Sequence, residues 1–74
     1  MTRTRELTEE DKKLANRIRG IRIEKGIKQE ALSILIDKNP NYMAYVETGR
    51  RGLSLPTLYK LAKALKRPIK DLFS

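Results

Sequence analysis

Seventy-four residues make one domain with a single small core, which at this size yields only ~3–5 kcal/mol net without a further staple. The chain contains neither cysteine nor histidine, which excludes disulfides, thiolate metal sites and the usual general base near neutral pH. Seventeen Lys and Arg against nine Asp and Glu leave a net charge of +8, a balance that points to a polyanionic partner, either nucleic acid or an anionic membrane surface.

Residues 1–7 (MTRTREL) are polar and basic and read as a flexible N-terminal arm, followed by a single domain over 8–74. No apolar segment follows the basic opening, and none approaches the ~20 residues of a membrane span. The cytoplasm, with its nucleoid, is the expected compartment, and no membrane is expected as a partner. Thr8 opens a capping-box pattern with Asp11, and Glu9, Glu10 and Asp11 suit the positive end of a helix dipole. Leu14, Ile18 and Ile21 then form an apolar stripe, and Lys25-Gly26 end a first helix over about 9–25. Gly20 inside that helix suggests close packing on its face.

A second helix is expected over 29–36 (QEALSILI), broken by Asp37-Lys38. Asn39 is a good N-cap and Pro40 a natural first helical residue, so a third helix covers about 40–48 and stops at Gly49. Arg50-Arg51-Gly52 is a basic loop. Ser54 caps a fourth helix, LPTLYKLAKAL, with Leu55, Leu58, Leu61, Ala62 and Leu65 at helical spacing, and Pro68 opens a short fifth, IKDLF. The expected fold is all-α, a compact bundle of five short helices. Two short helices joined by a tight turn, over about 29–48, are also the geometry in which one helix crosses the DNA backbone and the next enters the major groove.

The segments IRGIRIEKGIKQEAL, ETG and LPTLYKLAKAL together resemble the Cro/lambda-repressor-type helix-turn-helix family, over roughly residues 14–73. The resemblance implies a lambda-repressor-like DNA-binding domain whose third helix reads bases. In that reading Asn41, Tyr42, Ala44 and Tyr45 face bases. Asn41 is suited to pair with adenine, and Tyr42 to offer a hydroxyl and a ring edge. Gln29, Asn39, Thr48, Arg50 and Arg51 fall where the family contacts phosphates, although Asn39 is equally well read as a cap alone. For Tyr42 and Tyr45, the alternative is that one packs on the core and only the other meets DNA. Arg22 and Glu47 match a family ion pair that is structural, holding the recognition helix at its angle. Leu65, Ile69, Leu72 and Phe73 match the end that forms the two-fold contact, with a core role open for Leu65 and Leu72.

The chain departs from the pattern in the turn. Asp37 stands in the place of a glycine, Lys38 in that of an apolar residue, Ser33 in that of an alanine and Pro40 in that of a long polar base-reader. Ile34 and Leu35 fall at usually polar positions and suit the arm or a partner. The resemblance implies a homodimeric transcriptional regulator on a palindromic operator in double-stranded DNA, with RNA polymerase as a further partner. Among such regulators, restriction–modification controller proteins are the favoured subset, ahead of phage Cro-like repressors and antitoxins. A protein-interaction module using Ile34, Leu35 and the tyrosines is the second class. An enzyme is not expected, because no paired-carboxylate or phosphate-loop signature accompanies the missing His and Cys. No cofactor or metal is expected.

Overall fold

The computed structural model describes residues 8–73, so the arm over 1–7, with Arg3 and Arg5, lies outside the described residues. In chain order the elements are α1 (Glu9–Glu24), α2 (Gln29–Leu35), α3 (Tyr42–Glu47), α4 (Leu55–Leu65) and a closing 3-10 turn (Ile69–Phe73), with no strand among the described residues. The expected fifth helix is therefore a 3-10 turn, which Pro68 opens by accepting the Asp71 amide at 2.9 Å.

Local chemistry explains the boundaries. Thr8 accepts the Asp11 amide at 3.1 Å and Asp11 accepts the Thr8 amide at 2.8 Å, so both partners of a capping box are satisfied. Ser54 accepts the Thr57 amide and starts α4. The third helix begins later than Asn39-Pro40 suggests. The Asn39 side chain accepts the Asn41 amide at 2.9 Å, and its carbonyl accepts the Tyr42 amide at 2.9 Å. This turn keeps Pro40 and Asn41 outside the helix.

The helices α1 to α4 all end in the same pattern, in which one residue takes left-handed backbone and two amides return to carbonyls of the last turn. In α1 these amides belong to Gly26 and Ile27, and in α3 to Gly49 and Arg50. Gly26 (φ 70°) and Gly49 (φ 79°) take the left-handed position without strain. Asp37 (φ 62°) and Lys66 (φ 56°) close α2 and α4 the same way, at a steric cost.

The core gathers Ile18 and Ile21 of α1, Leu32 and Ile36 of the α2 region, Met43 and Val46 of α3, and Leu58, Leu61 and Leu65 of α4. Each such side chain contributes about 1.5–3 kcal/mol on full burial. Leu72 of the 3-10 turn is also fully buried. Cross-links from α1 hold that turn down: Arg17 donates to the Asp71 carbonyl at 2.8 Å, and Arg67 pairs with both Glu24 and Asp71. Gly20 does not mark close packing. It is exposed, and a Cβ added there would meet nothing within 4 Å.

Candidate nucleic-acid interface

The α3 helix is only six residues long, too short to hold its own geometry, so its neighbours must fix it. Its N-cap residue, Asn41, makes no side-chain capping bond. The buried Ser33 of α2 supplies the missing acceptor: its hydroxyl accepts the Met43 amide at 3.0 Å and donates to the Gln29 carbonyl at 2.9 Å. Ser33 thus caps one helix from inside another, a role that its small size in sequence does not announce.

At the other end of α3, Glu47 is a junction of three helices. Arg22 donates through Nε to Oε2 at 2.8 Å and through Nη2 to Oε1 at 3.0 Å, in a two-pronged pair. Its remaining Nη1 donates to the Ile27 carbonyl at 2.8 Å. Gln29 of α2 donates through Nε2 to the same Oε1 at 3.0 Å, and the Arg19 Nε stands 3.8 Å from it. The Glu47 side chain is 3% exposed and that of Arg22 is 11% exposed. Buried charges at such a junction hold only when their donors and acceptors are matched, and here they are.

Held at both ends, α3 buries Tyr42, Met43 and Val46 and turns Asn41, Ala44, Tyr45 and Thr48 outward. Tyr42, expected among the base readers, is 8% exposed and belongs to the core. Two tyrosines on one helix have thus taken different roles, because Tyr42 lies beside Val46 on the inner face while Tyr45 is 42% exposed. Asn41 and Ala44 line an open groove with Lys28, Gln29 and Pro40, between the start of α2 and the start of α3. The Thr48 hydroxyl donates to the Ala44 carbonyl at 2.8 Å, closing the helix. The Asn39 side chain is engaged in its own turn, and Gln29 is committed through its amide nitrogen to Glu47. Arg50 and Arg51 are exposed in the loop that follows the Gly49 turn.

Two cationic side chains reach the Tyr42 ring, and one of them, Lys38, is not among the expected contact residues. Lys38 lies with its ammonium 5.2 Å from the centre of the Tyr42 ring, and Arg51 lies with its guanidinium 5.6 Å from the same centre. Lys38 stands where an apolar residue is usual, four positions before Tyr42, and that exchange is the one signal in the sequence for the contact. Among the expected dimer residues, Leu65 and Leu72 are fully buried in their own chain and are not available to a second copy. Ile69 is half-buried and Phe73 is 60% exposed.

The helix-turn-helix family HTH_3 matches residues 18–72, which takes in Arg22, the whole of α2 to α4, and the 3-10 turn up to Leu72. The chain belongs to the HTH_3 helix-turn-helix family. Its fold is that of DNA-binding transcriptional regulators. The restriction-modification controller protein C.AhdI from Aeromonas hydrophila is 36% identical, with a TM-score of 0.83 over 89% of this chain and 100% of that one. The hypothetical transcription factor NHTF from Neisseria is 30% identical, with a TM-score of 0.81 over 99% of this chain and 87% of that one. The wild-type restriction-modification controller protein C.Esp1396I is 27% identical, with a TM-score of 0.82 over 90% of this chain and 88% of that one. No curated protein sequence matches the chain. Among the described residues of this HTH_3 domain, no helix is long and apolar enough to cross a membrane, and no three acidic side chains are placed together to hold a metal ion.

Proposed function

We propose that the protein is a homodimeric regulator that binds a palindromic operator in double-stranded DNA, in the manner of a restriction–modification controller. One observation carries this reading. A short helix, locked by the Glu47 junction and capped by Ser33, presents an outward row of Asn41, Ala44 and Tyr45 beside a basic loop. A rigid polar edge flanked by cations suits base reading in a major groove with phosphates on either side. Asn41 and Tyr45 are the base readers and Ala44 gives close approach, suited to a thymine methyl. Arg50 and Arg51 contact phosphates, with Gln29, Asn39 and Thr48 at the groove margin. Tyr42 acts behind this edge rather than on it.

A homodimer would form through Phe73, which the core leaves exposed, and the part of Ile69 that it does not cover. Phe73 shares an open apolar groove with Leu14 of α1, which would extend the contact. Two-fold pairing would place two copies of α3 about one DNA turn apart. The 36% identity and shared fold with C.AhdI favour a controller over other regulators.

The test is selection of binding sites from a random duplex library, followed by titration of the selected duplex. An enriched inverted repeat, bound two chains per site, is the expected result. A Phe73→Glu variant should bind one half-site weakly and sediment as a monomer. Binding to no duplex at low salt, or enrichment without an inverted repeat, would sink the reading.

A further inference from the structure

The Tyr42 flank of α3 differs from the two places where arginines of the described residues meet carboxylates across the fold. Arg22 and Arg19 meet Glu47, while Arg67 meets Glu24 and Asp71. Lys38 and Arg51 instead meet a ring. Among the described residues neither is paired with a carboxylate, although they converge on one aromatic centre from opposite ends of α3, Lys38 from the preceding turn and Arg51 from the following loop. Each cation gains from the negative face of the ring, which attracts its charge without neutralising it. The charge that remains calls for an anion.

Position says which anion. At 100° per residue, Tyr42 lies about 60° around the helix axis from Tyr45, so the ring borders the outward face without being part of it. Arg51 is exposed and Lys38 is half-buried, with its ammonium over the ring. Their charged ends therefore stand at the rim of the face that carries Asn41 and Tyr45. A duplex seated on that face brings its sugar–phosphate backbone to the rim.

We infer that Lys38 and Arg51, aligned by the buried Tyr42 ring, form a two-cation clamp for the DNA backbone. This rests on the DNA-binding reading above and adds to it a phosphate-binding residue, Lys38, and a positioning residue, Tyr42. Tyr42 acts through the two cations and touches no base. Its hydroxyl is dispensable and its ring is not.

The test measures binding of a mixed-sequence duplex as a function of salt, which reports phosphate neutralisation whether or not an operator exists. Removing one cation from a phosphate lowers the log–log slope by about 0.9, so over a fourfold rise in salt the variant's affinity falls about 3.5-fold less than that of the native chain. Lys38→Met and Arg51→Met should each lower the slope by about 1, and Lys60→Met, a like removal of charge on α4, should leave it unchanged. Tyr42→Leu removes no charge, yet should lower the slope by between about 1 and 2 in the native background and by nothing in the Lys38→Met/Arg51→Met background. Tyr42→Phe should keep the native slope. Circular dichroism establishes that Tyr42→Leu is folded; if it is not, the lysine and arginine variants with Tyr42→Phe decide the matter. A native slope in Lys38→Met, or an equal fall in Lys60→Met, overturns the clamp while DNA binding stands. A native chain that binds no duplex at low salt removes both.

Discussion

The two flanks of α3 are built on opposite principles. On the flank of Glu47, charge is buried and fully matched. Three donors from α1 and α2 converge on one carboxylate, and little of it reaches solvent. About 140° away around the axis, on the flank of Tyr42, the buried group is an aromatic ring and the charges beside it have no acidic partner among the described residues. A matched buried junction fixes an angle but has nothing left to offer a ligand. An unmatched surface pair gives little stability but retains its attraction for an anion. A six-residue helix needs the first to hold its angle, and the second is what the proposed contact with DNA would use.

The largest expected effect therefore belongs to Glu47. Glu47→Ala strands the Arg22 guanidinium in the interior and removes the acceptor of Gln29, a loss of about 3–5 kcal/mol. That equals the whole net stability of a core this size, so the variant should be largely unfolded by circular dichroism at about 25 °C. The double variant Arg22→Met/Glu47→Leu should recover much of the loss, since no charge is then stranded. A well-folded Glu47→Ala variant that keeps its DNA binding would show that the junction does not set the angle.

Ser33→Ala comes next. It leaves the Met43 amide, on the first turn of α3, without an acceptor in a buried site, at about 1–3 kcal/mol. Urea denaturation measures the loss, and the transition should stay cooperative. A neutral result would mean that the turn at Asn39 already holds α3 in place. Removing either cation of the other flank is a smaller matter. Lys38→Met or Arg51→Met should cost no more than about 1 kcal/mol of stability, the range of an exposed cation–π interaction, while duplex affinity falls. Stability and binding should thus separate on this flank, although on the Glu47 flank they fall together. A large stability loss in Lys38→Met would erase the distinction.

The sequence made some of this legible and not the rest, for reasons that lie in the residues. Helix starts could be read at Thr8 and Ser54 because a capping hydroxyl acts on its own immediate neighbours, and ends at Gly26 and Gly49 because left-handed backbone selects glycine. The left-handed turn at Asp37 was open to suspicion for the same reason. Lys66 was not, since its side chain gives no local sign of that conformation. Roles decided by a distant partner stayed hidden. Nothing near Ser33 in sequence shows that its hydroxyl reaches α3; Met43 and Val46 mark the inner side of α3, but a tyrosine at its edge can join either that side or the outer one. The partner of Arg22 became visible through family resemblance alone. Leu65 and Leu72 are apolar at helical spacing whether they meet their own chain or another, and spacing does not choose between the two.

Gly20 offers the smallest effect and the cleanest control on the two flanks. It lies inside α1, between Arg19 and Ile21, yet it is exposed and an added methyl group would touch nothing. Gly20→Ala therefore removes only the entropic cost of a glycine in a helix, and should stabilise the fold by about 0.5–1 kcal/mol. For a domain of this size that is a rise in Tm of several degrees, roughly 2–8 °C. The substitution leaves both flanks of α3 untouched, so duplex affinity and its salt slope should stay at native values. If affinity rose with stability, the binding-competent arrangement of α3 would be populated only in part and limited by the whole fold, rather than secured locally at Glu47 and Ser33. If stability instead fell, that face of α1 would have to be in contact with something, and a second copy of the chain would be the first candidate. The expected result separates global stability from local readiness, because it changes the first and leaves the second alone.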